Sequence, residues 1–255
     1  MRSINLQKEI TRIANFISKT VHKAGFQSVV IGLSGGIDSS VSAVLCSQAL
    51  GKQNVFGVAM PYTNSHPDSM THAQLLAETF DIALQTVSIS QMVDSYFEQF
   101  DPNASMLRRG NFMARQRMCV LYDLSAKTQS LVAGTSNKSE IYAGYCTQYG
   151  DSACAFEPFA HLYKSEIIQL ADLLKIPEAI IRKDPTADFW EGQTDESEMR
   201  VTYKVLDEIL HCLLDEKIGK EALLTKGFSE DDIDNVIGKI THSEYKRQLP
   251  PQLKI

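Results

Sequence analysis

The chain has 255 residues, 44% of them hydrophobic and 22% charged, with a net charge of -6. That composition is globular and excludes disordered, collagen-like and disulfide-scaffold classes. The acid excess removes any chain-wide basic footprint for nucleic acid, and no apolar run approaches the roughly 20 residues that span a bilayer. One domain over residues 1–255 is expected, in the cytoplasm, with neither a nucleic-acid nor a membrane partner.

Leu6, Ile10, Ile13, Ile17 and Val21 recur at three- and four-residue steps, which predicts an amphipathic first helix rather than an apolar signal core. Gly25 ends it, and the β-branched run 28–33 reads as a buried strand. A helix over 39–50 follows, then strand 54–60, a helix marked by Ala73, Leu76, Ala77 and Phe80, and strand 84–89. Met92, Val93, Tyr96 and Phe97 mark another helix. A long one covers about 111–127, before a fourth strand at 130–134. Strands alternating with helices predict an α/β fold, a parallel sheet with helices on both faces. Ligands then bind beyond the carboxyl ends of the strands. The last hundred residues read as mostly helical, apart from 183–198, an irregular charged stretch holding the only Trp. Such a loop is expected to be a mobile lid. Cys46, Cys119, Cys146, Cys154 and Cys212 form no C-x-x-C pair, so neither zinc nor a disulfide framework is expected, and a reducing compartment fits.

The strongest signal is Gly32-Leu33-Ser34-Gly35-Gly36-Ile37-Asp38-Ser39, between the first strand and its helix. Paired glycines admit a ligand close to the backbone. Open N–H groups and the dipole at the helix start favour an anion. Asp38 has the wrong charge to touch phosphate, but suits a Mg²⁺ ion lying between it and phosphates. The bland alternative is a Gly-Gly turn capping a helix. No Gly-Lys-[Ser/Thr] and no G-x-G-x-x-G occurs, so this is neither a Walker A loop nor a dinucleotide fingerprint. Ser-Gly-Gly-x-Asp-Ser resembles the PP-loop of the ATP pyrophosphatase superfamily.

Further segments follow in order: Gly110-Asn111 leading to Arg115 and Arg117, Gly134-Thr135-Ser136-Asn137-Lys138-Ser139-Glu140, Tyr149-Gly150-Asp151, Leu162-Tyr163-Lys164, Pro185-Thr186-Ala187-Asp188 and Gln193-Thr194-Asp195-Glu196. Each has an ordinary reading: surface arginines with apolar stems, a helix start with Ser136 as N-cap, a solvated lysine. Together and in this order they resemble the ammonia-dependent NAD synthetases. The resemblance implies the adenine-nucleotide α-hydrolase-like fold with a five-stranded sheet, and a homodimer. It implies a ligase using ATP and Mg²⁺ that adenylates the nicotinate carboxylate of deamido-NAD and amidates it with ammonia, releasing AMP and pyrophosphate. By position, Gly32, Leu33, Ser34, Gly35, Gly36, Ile37, Asp38, Ser39, Thr135, Lys164 and Thr186 would bind ATP. Asp38 and Glu140 would hold the metal, and Asp38 and Lys164 would serve catalysis. Arg115, Arg117, Gln148, Asp151, Ala155, Tyr245 and Lys246 would lie on the deamido-NAD side.

Three residues depart from the family pattern: Gln148 stands where Lys is common, Ala155 where Asp is common, and Tyr245 where His is common. All three fall on the dinucleotide side and leave the adenylation residues intact. A tRNA-modifying PP-loop enzyme is the alternative, disfavoured by the acidic balance and the lack of paired cysteines. A non-catalytic nucleotide sensor would not need Asp38, Glu140 and Lys164 together.

Overall fold

The computed structural model describes residues 2, 4–63, 65–190 and 192–253. Four parallel strands, β1 (Val29–Gly32), β2 (Val55–Ala59), β3 (Ala83–Thr86) and β4 (Leu131–Val132), are ordered β3-β2-β1-β4. Val29 pairs with Val55 on one side and with Leu131 on the other. The helices are α1 (Leu6–Lys23), α2 (Ile37–Leu50), α3 (Pro67–Phe80), α4 (Ser90–Phe100), α5 (Met106–Thr128), α6 (Lys138–Ala143), α7 (Lys164–Leu173), α8 (Glu178–Ile181), α9 (Asp195–Met199), α10 (Tyr203–Leu210), α11 (Lys220–Thr225) and α12 (Glu230–His242).

The sheet divides the core by the two-residue period of its strands. Val29 and Ile31 point into a cluster with Ile13 and Ile17 of α1, Val41 and Leu45 of α2 and Ile167 of α7. Val30, Val58 and Val132 point the other way, onto Val93 and Phe97 of α4 and Met113 of α5. A third cluster joins α6, α10, α11 and α12 through Leu206, Ile209, Leu223 and Ile233. The first helix is buried along Ile10, Ile13, Ile17 and Val21, as the spacing predicts.

The expected fifth strand is not formed among the described residues. It is reduced to one parallel bridge between Ala133 and Phe156. Gly134 donates its N–H to the Phe156 carbonyl at 2.9 Å, and Ala155 donates to Val132 at 2.9 Å. Its neighbour β4 is only two residues long, because the chain turns off at Gly134 toward the site, so the ladder has nowhere to extend. The long arginine-bearing helix begins at Met106, five residues before the expected start. Ser105 caps it, accepting the Arg108 N–H at 3.4 Å; the charged 107–110 stretch hides that first turn from the apolar period. All five cysteines are free, Cys46 and Cys212 buried. No helix among the described residues is long and apolar enough to cross a membrane.

Candidate active site

The strand order reverses direction at β1: the chain steps outward to β2 and β3, then returns to β4 on the other side. A crevice opens there beyond the carboxyl ends, between the loops after β1 and β4. It is a cavity of about 530 Å³, lined by Gly32, Ser34, Gly36, Asp38, Thr135, Glu140, Asp151, Lys164 and Thr186.

The PP-loop is shaped by its own hydroxyls. Ser39 Oγ donates to the Gly36 carbonyl at 3.0 Å and lies 3.1 Å from Ser34 Oγ. Gly36 is the N-cap of α2 and offers no side chain to the first-turn N–H groups, leaving them open to an anion. Gly35 has φ +74, and a Cβ there would strike the Ser69 carbonyl of α3. Only glycine satisfies both conditions.

Across the crevice Lys164, 2% exposed, forms ion pairs with Asp38 and, at 3.2 Å, with Glu140. Asn137 Nδ2 donates to the other oxygen of Asp38 at 2.8 Å. Asn137, not Ser136, caps α6, in a capping box with Glu140. Burial alone would lower the Lys164 pKa, but the carboxylates of Asp38 and Glu140 outweigh it and leave the amine firmly protonated. Burial, reinforced by Asp38, raises the Glu140 pKa. Asp195, 5% exposed, adds a third carboxylate to the group; its Oδ2 accepts from the Tyr203 hydroxyl at 3.0 Å, Tyr145 also interacts with the carboxylate, and Oδ1 has no close hydrogen-bond partner among the described residues.

The 183–198 segment lies against α3 beside the PP-loop. Asp188 accepts from the His66 N–H at 2.8 Å and the Ser69 hydroxyl at 2.7 Å, and Lys183 donates to Ser69 at 2.8 Å. Phe189 fills the place a side chain at Gly110 would need. The Thr186 hydroxyl accepts the Asp188 N–H at 3.0 Å and lines the cavity. Glu191 of this segment lies outside the described residues.

The residues expected on the dinucleotide side separate. Arg117 lines the cavity, its Nε donating to the Met60 carbonyl at 3.1 Å. Burial lowers its pKa against the attraction of Asp188 and Asp151, and no ion pair partners it among the described residues. Asp151 Oδ1 accepts the Thr147 N–H at 2.8 Å, and Thr147 in turn donates to Asn111 of α5 at 2.8 Å. Lys246 also reaches the cavity, donating to the Gly144 and Cys146 carbonyls at 2.8 Å each. Arg115 is exposed on the opposite side of α5, 3.3 Å from the Gln148 carbonyl. Gln148, Ala155 and Tyr245 do not line the cavity; Tyr245 is 59% exposed.

Tyr145, Tyr203 and Asp207 escape sequence reasoning. Asp207, fully buried, accepts from the hydroxyls of Ser139 and Ser165 and from the Ser165 N–H at 2.9 Å. Ser139 Oγ accepts the Lys164 N–H at 2.9 Å. One carboxylate therefore ties the start of α6, which carries Glu140, to the start of α7, which carries Lys164.

The model of the family described as NAD synthase matches residues 9–250. The NH(3)-dependent NAD(+) synthetase of Fusobacterium nucleatum is 48% identical over 252 residues, covering 99% of this chain and 97% of that one. Among solved structures, the NH3-dependent NAD synthetase of Campylobacter jejuni is 35% identical, with a TM-score of 0.84 over 99% of this chain and 100% of that one. The NMN synthetase of Francisella tularensis is 30% identical, with a TM-score of 0.88 at the same coverage. The PP-loop crevice, the carboxylate-paired lysine and the end-to-end sequence match lead to one conclusion: this chain belongs to the NAD synthase family.

Proposed function

We propose that the chain is an ammonia-dependent NAD synthetase acting in the cytoplasm: ATP adenylates the nicotinate carboxylate of deamido-NAD, pyrophosphate leaves, and ammonia displaces AMP to give NAD. The observation that carries this reading is the buried Lys164 held by Asp38 and Glu140 at the mouth of the PP-loop. A carboxylate is a poor acyl donor until its oxygen is attached to a good leaving group, and this crevice is built for that activation. The first-turn N–H groups of α2 would hold the nucleotide phosphates. Lys164 would neutralise charge developing on the departing pyrophosphate. Arg117, a cavity cation without a carboxylate partner, would take an anionic group of deamido-NAD. The 183–198 segment would keep water from the acyl-adenylate.

Asp38 and Glu140 fit Mg²⁺. Both offer hard oxygen donors and lie together around Lys164 in the crevice. That suits an ion held by one or two carboxylates together with nucleotide phosphates. When bound it would supply charge neutralisation on the phosphates.

A second acceptor is favoured by one comparison. The F. tularensis neighbour is named for NMN synthesis, and Gln148, Ala155 and Tyr245, the three departures, lie off the cavity lining. Nicotinate mononucleotide would then compete with deamido-NAD. Measuring pyrophosphate release with ATP, ammonium and each acceptor separates the readings. Release with deamido-NAD at the higher kcat/KM supports NAD synthesis, preference for the mononucleotide supports NMN synthesis, and release with neither removes both.

A further inference from the structure

The turn at residues 161–166 delivers Lys164 to the crevice, and other elements grip it residue by residue. The Lys138 N–H donates to the Leu162 carbonyl at 2.7 Å, and the Tyr163 hydroxyl donates to Asp215 at 2.9 Å. The Lys138 ammonium lies 4.4 Å from the centre of the Tyr163 ring. Ser139 takes the Lys164 N–H, and Asp207 takes the Ser165 N–H. These grips come from α6, from α10 and from the residues just beyond α10.

A further grip comes from 164 residues away. Arg2, ahead of α1, donates Nε to Glu166 Oε1 at 2.8 Å and Nη2 to Glu166 Oε2 at 2.9 Å. This is the two-pronged contact that a planar guanidinium makes with a carboxylate. Nη2 also donates to the His161 carbonyl at 2.7 Å, and the guanidinium carbon lies 5.4 Å from the centre of the Tyr163 ring. One side chain therefore joins the two ends of the turn across its middle.

Glu166 carries that grip to Lys164. Its side chain is only 2% exposed, and Oε2 also accepts the N–H of Tyr163, the N-cap of α7, at 2.9 Å. Lys164 is the next residue. A carboxylate this buried is costly unless paired, and among the described residues its ion pair is with Arg2. Without Arg2 the carboxylate is drawn toward water, and its hold on the Tyr163 N–H goes with it. A displacement of about 1 Å in a reacting geometry costs on the order of 100-fold in rate.

We infer that Arg2 is a positioning residue for adenylation: paired with Glu166, it fixes the turn that aims the Lys164 ammonium at Asp38 and Glu140. The inference rests on the synthetase reading above. Arg2 does not line the cavity, so it acts through Lys164 and not on a substrate.

The test is Arg2→Ala, read in ATP–pyrophosphate exchange with deamido-NAD and no ammonium, which reports adenylation alone. The expected result is a kcat lowered roughly 10-fold, with KM for deamido-NAD within about twofold of wild type. Adding Glu166→Gln to that variant removes the unpaired charge but keeps an oxygen for the Tyr163 N–H. It is expected to bring kcat back to within about threefold of wild type. Arg12→Ala breaks the exposed pair of Arg12 with Glu9 and is expected to leave both constants unchanged. An unchanged kcat in Arg2→Ala overturns the inference. So does a loss that Glu166→Gln fails to recover, or one that Arg12→Ala reproduces, since either assigns it to general loosening. A matching rise in KM for deamido-NAD also overturns it, by placing the effect on the acceptor. Wild-type protein that shows no exchange overturns the synthetase reading itself, a failure visible before any variant is made.

Discussion

Asp38 meets two demands with one side chain. One oxygen takes the Asn137 amide at 2.8 Å and the other takes Lys164, so the carboxylate is oriented before any nucleotide arrives. Asp38→Asn keeps the shape but removes the charge that Mg²⁺ and Lys164 require. The expected outcome is a kcat lowered by about 100-fold or more at saturating Mg²⁺, with an unchanged circular dichroism spectrum; a wild-type rate would remove Asp38 from the chemistry. Glu157 presents a different case. Its Oε2 accepts the Ser136 N–H at 3.0 Å beneath the loop that carries Thr135, and burial pushes its carboxyl up from 4.5 to about 7. A carboxyl raised by folding holds its proton longer in the native state than in the unfolded one. Stability therefore falls as pH rises from about 4.5 to about 7, and the loss persists above. Glu157→Gln removes that loss. At 1.36 kcal/mol per unit the ceiling is about 3 kcal/mol. Melting curves are expected to show the variant more stable than wild type at pH 8 and close to it at pH 4.5; equal melting temperatures at pH 8 would contradict the assignment.

At the scale of elements, the segment 183–198 is the proposed lid over the site. At one end Asp188 and Lys183 anchor it to α3 with Phe189 against Gly110; at the other, Asp195, Glu196 and Glu198 accept from Tyr203 and Tyr145. Most of the contacts that hold it are polar, so local opening is the expected behaviour. Trp190 fluorescence is expected to change, and proteolysis within the segment to slow, when ATP and deamido-NAD are both added. Insensitivity of both would count against a lid. The helices α1 and α5 were legible because each buries a periodic apolar face, and α2, buried nearly all round, through its apolar run Val41 to Leu45. So was the PP-loop, because paired glycines beside Ser34 and Asp38 have few other uses. The fifth strand was not, because a single bridge at Phe156 leaves no two-residue period to read. Ser136 was the wrong cap: Asn137 beside it accepts the Glu140 N–H at 3.0 Å through Oδ1, while its amide nitrogen bonds Asp38, 99 residues away. Tyr203 and Asp207 stayed hidden because each lies in a helical pattern, and its partner comes from another element. Arg115 and Arg117 look equivalent in sequence, two residues apart on one helix. A rotation of about 200° between them puts one in the cavity and the other on the outside.

For the molecule as a whole, one surface asks for a partner. Met92, Tyr96 and Phe100 of α4 and Met106 and Leu107 of α5 are 41–65% exposed, and the Tyr96 ring stacks on Phe112 at 4.5 Å. An apolar strip of this kind is expected to be covered, and a second copy of the chain is the proposed cover. Light scattering is expected to give twice 28.4 kDa, and Phe100→Lys to shift it toward the single chain; a wild-type monomer at micromolar concentration would contradict the dimer. The nitrogen donor is also a property of the whole chain. Using glutamine requires a thiolate nucleophile. Cys146 and Cys154 line the cavity, but burial pushes the Cys146 thiol up to about 11, and burial with Glu157 raises Cys154 as well. Cys46 is buried within α2 with its thiol pushed up to about 12. The most direct measurement is therefore NAD formation by the purified chain from ATP, Mg²⁺ and deamido-NAD, with ammonium or ammonia-free glutamine as the nitrogen source. The account predicts NAD and pyrophosphate in equal amounts with ammonium, faster as pH rises and more free ammonia is present, and little product with glutamine. Equal rates with glutamine at matched concentration, or no NAD with ammonium, would contradict it.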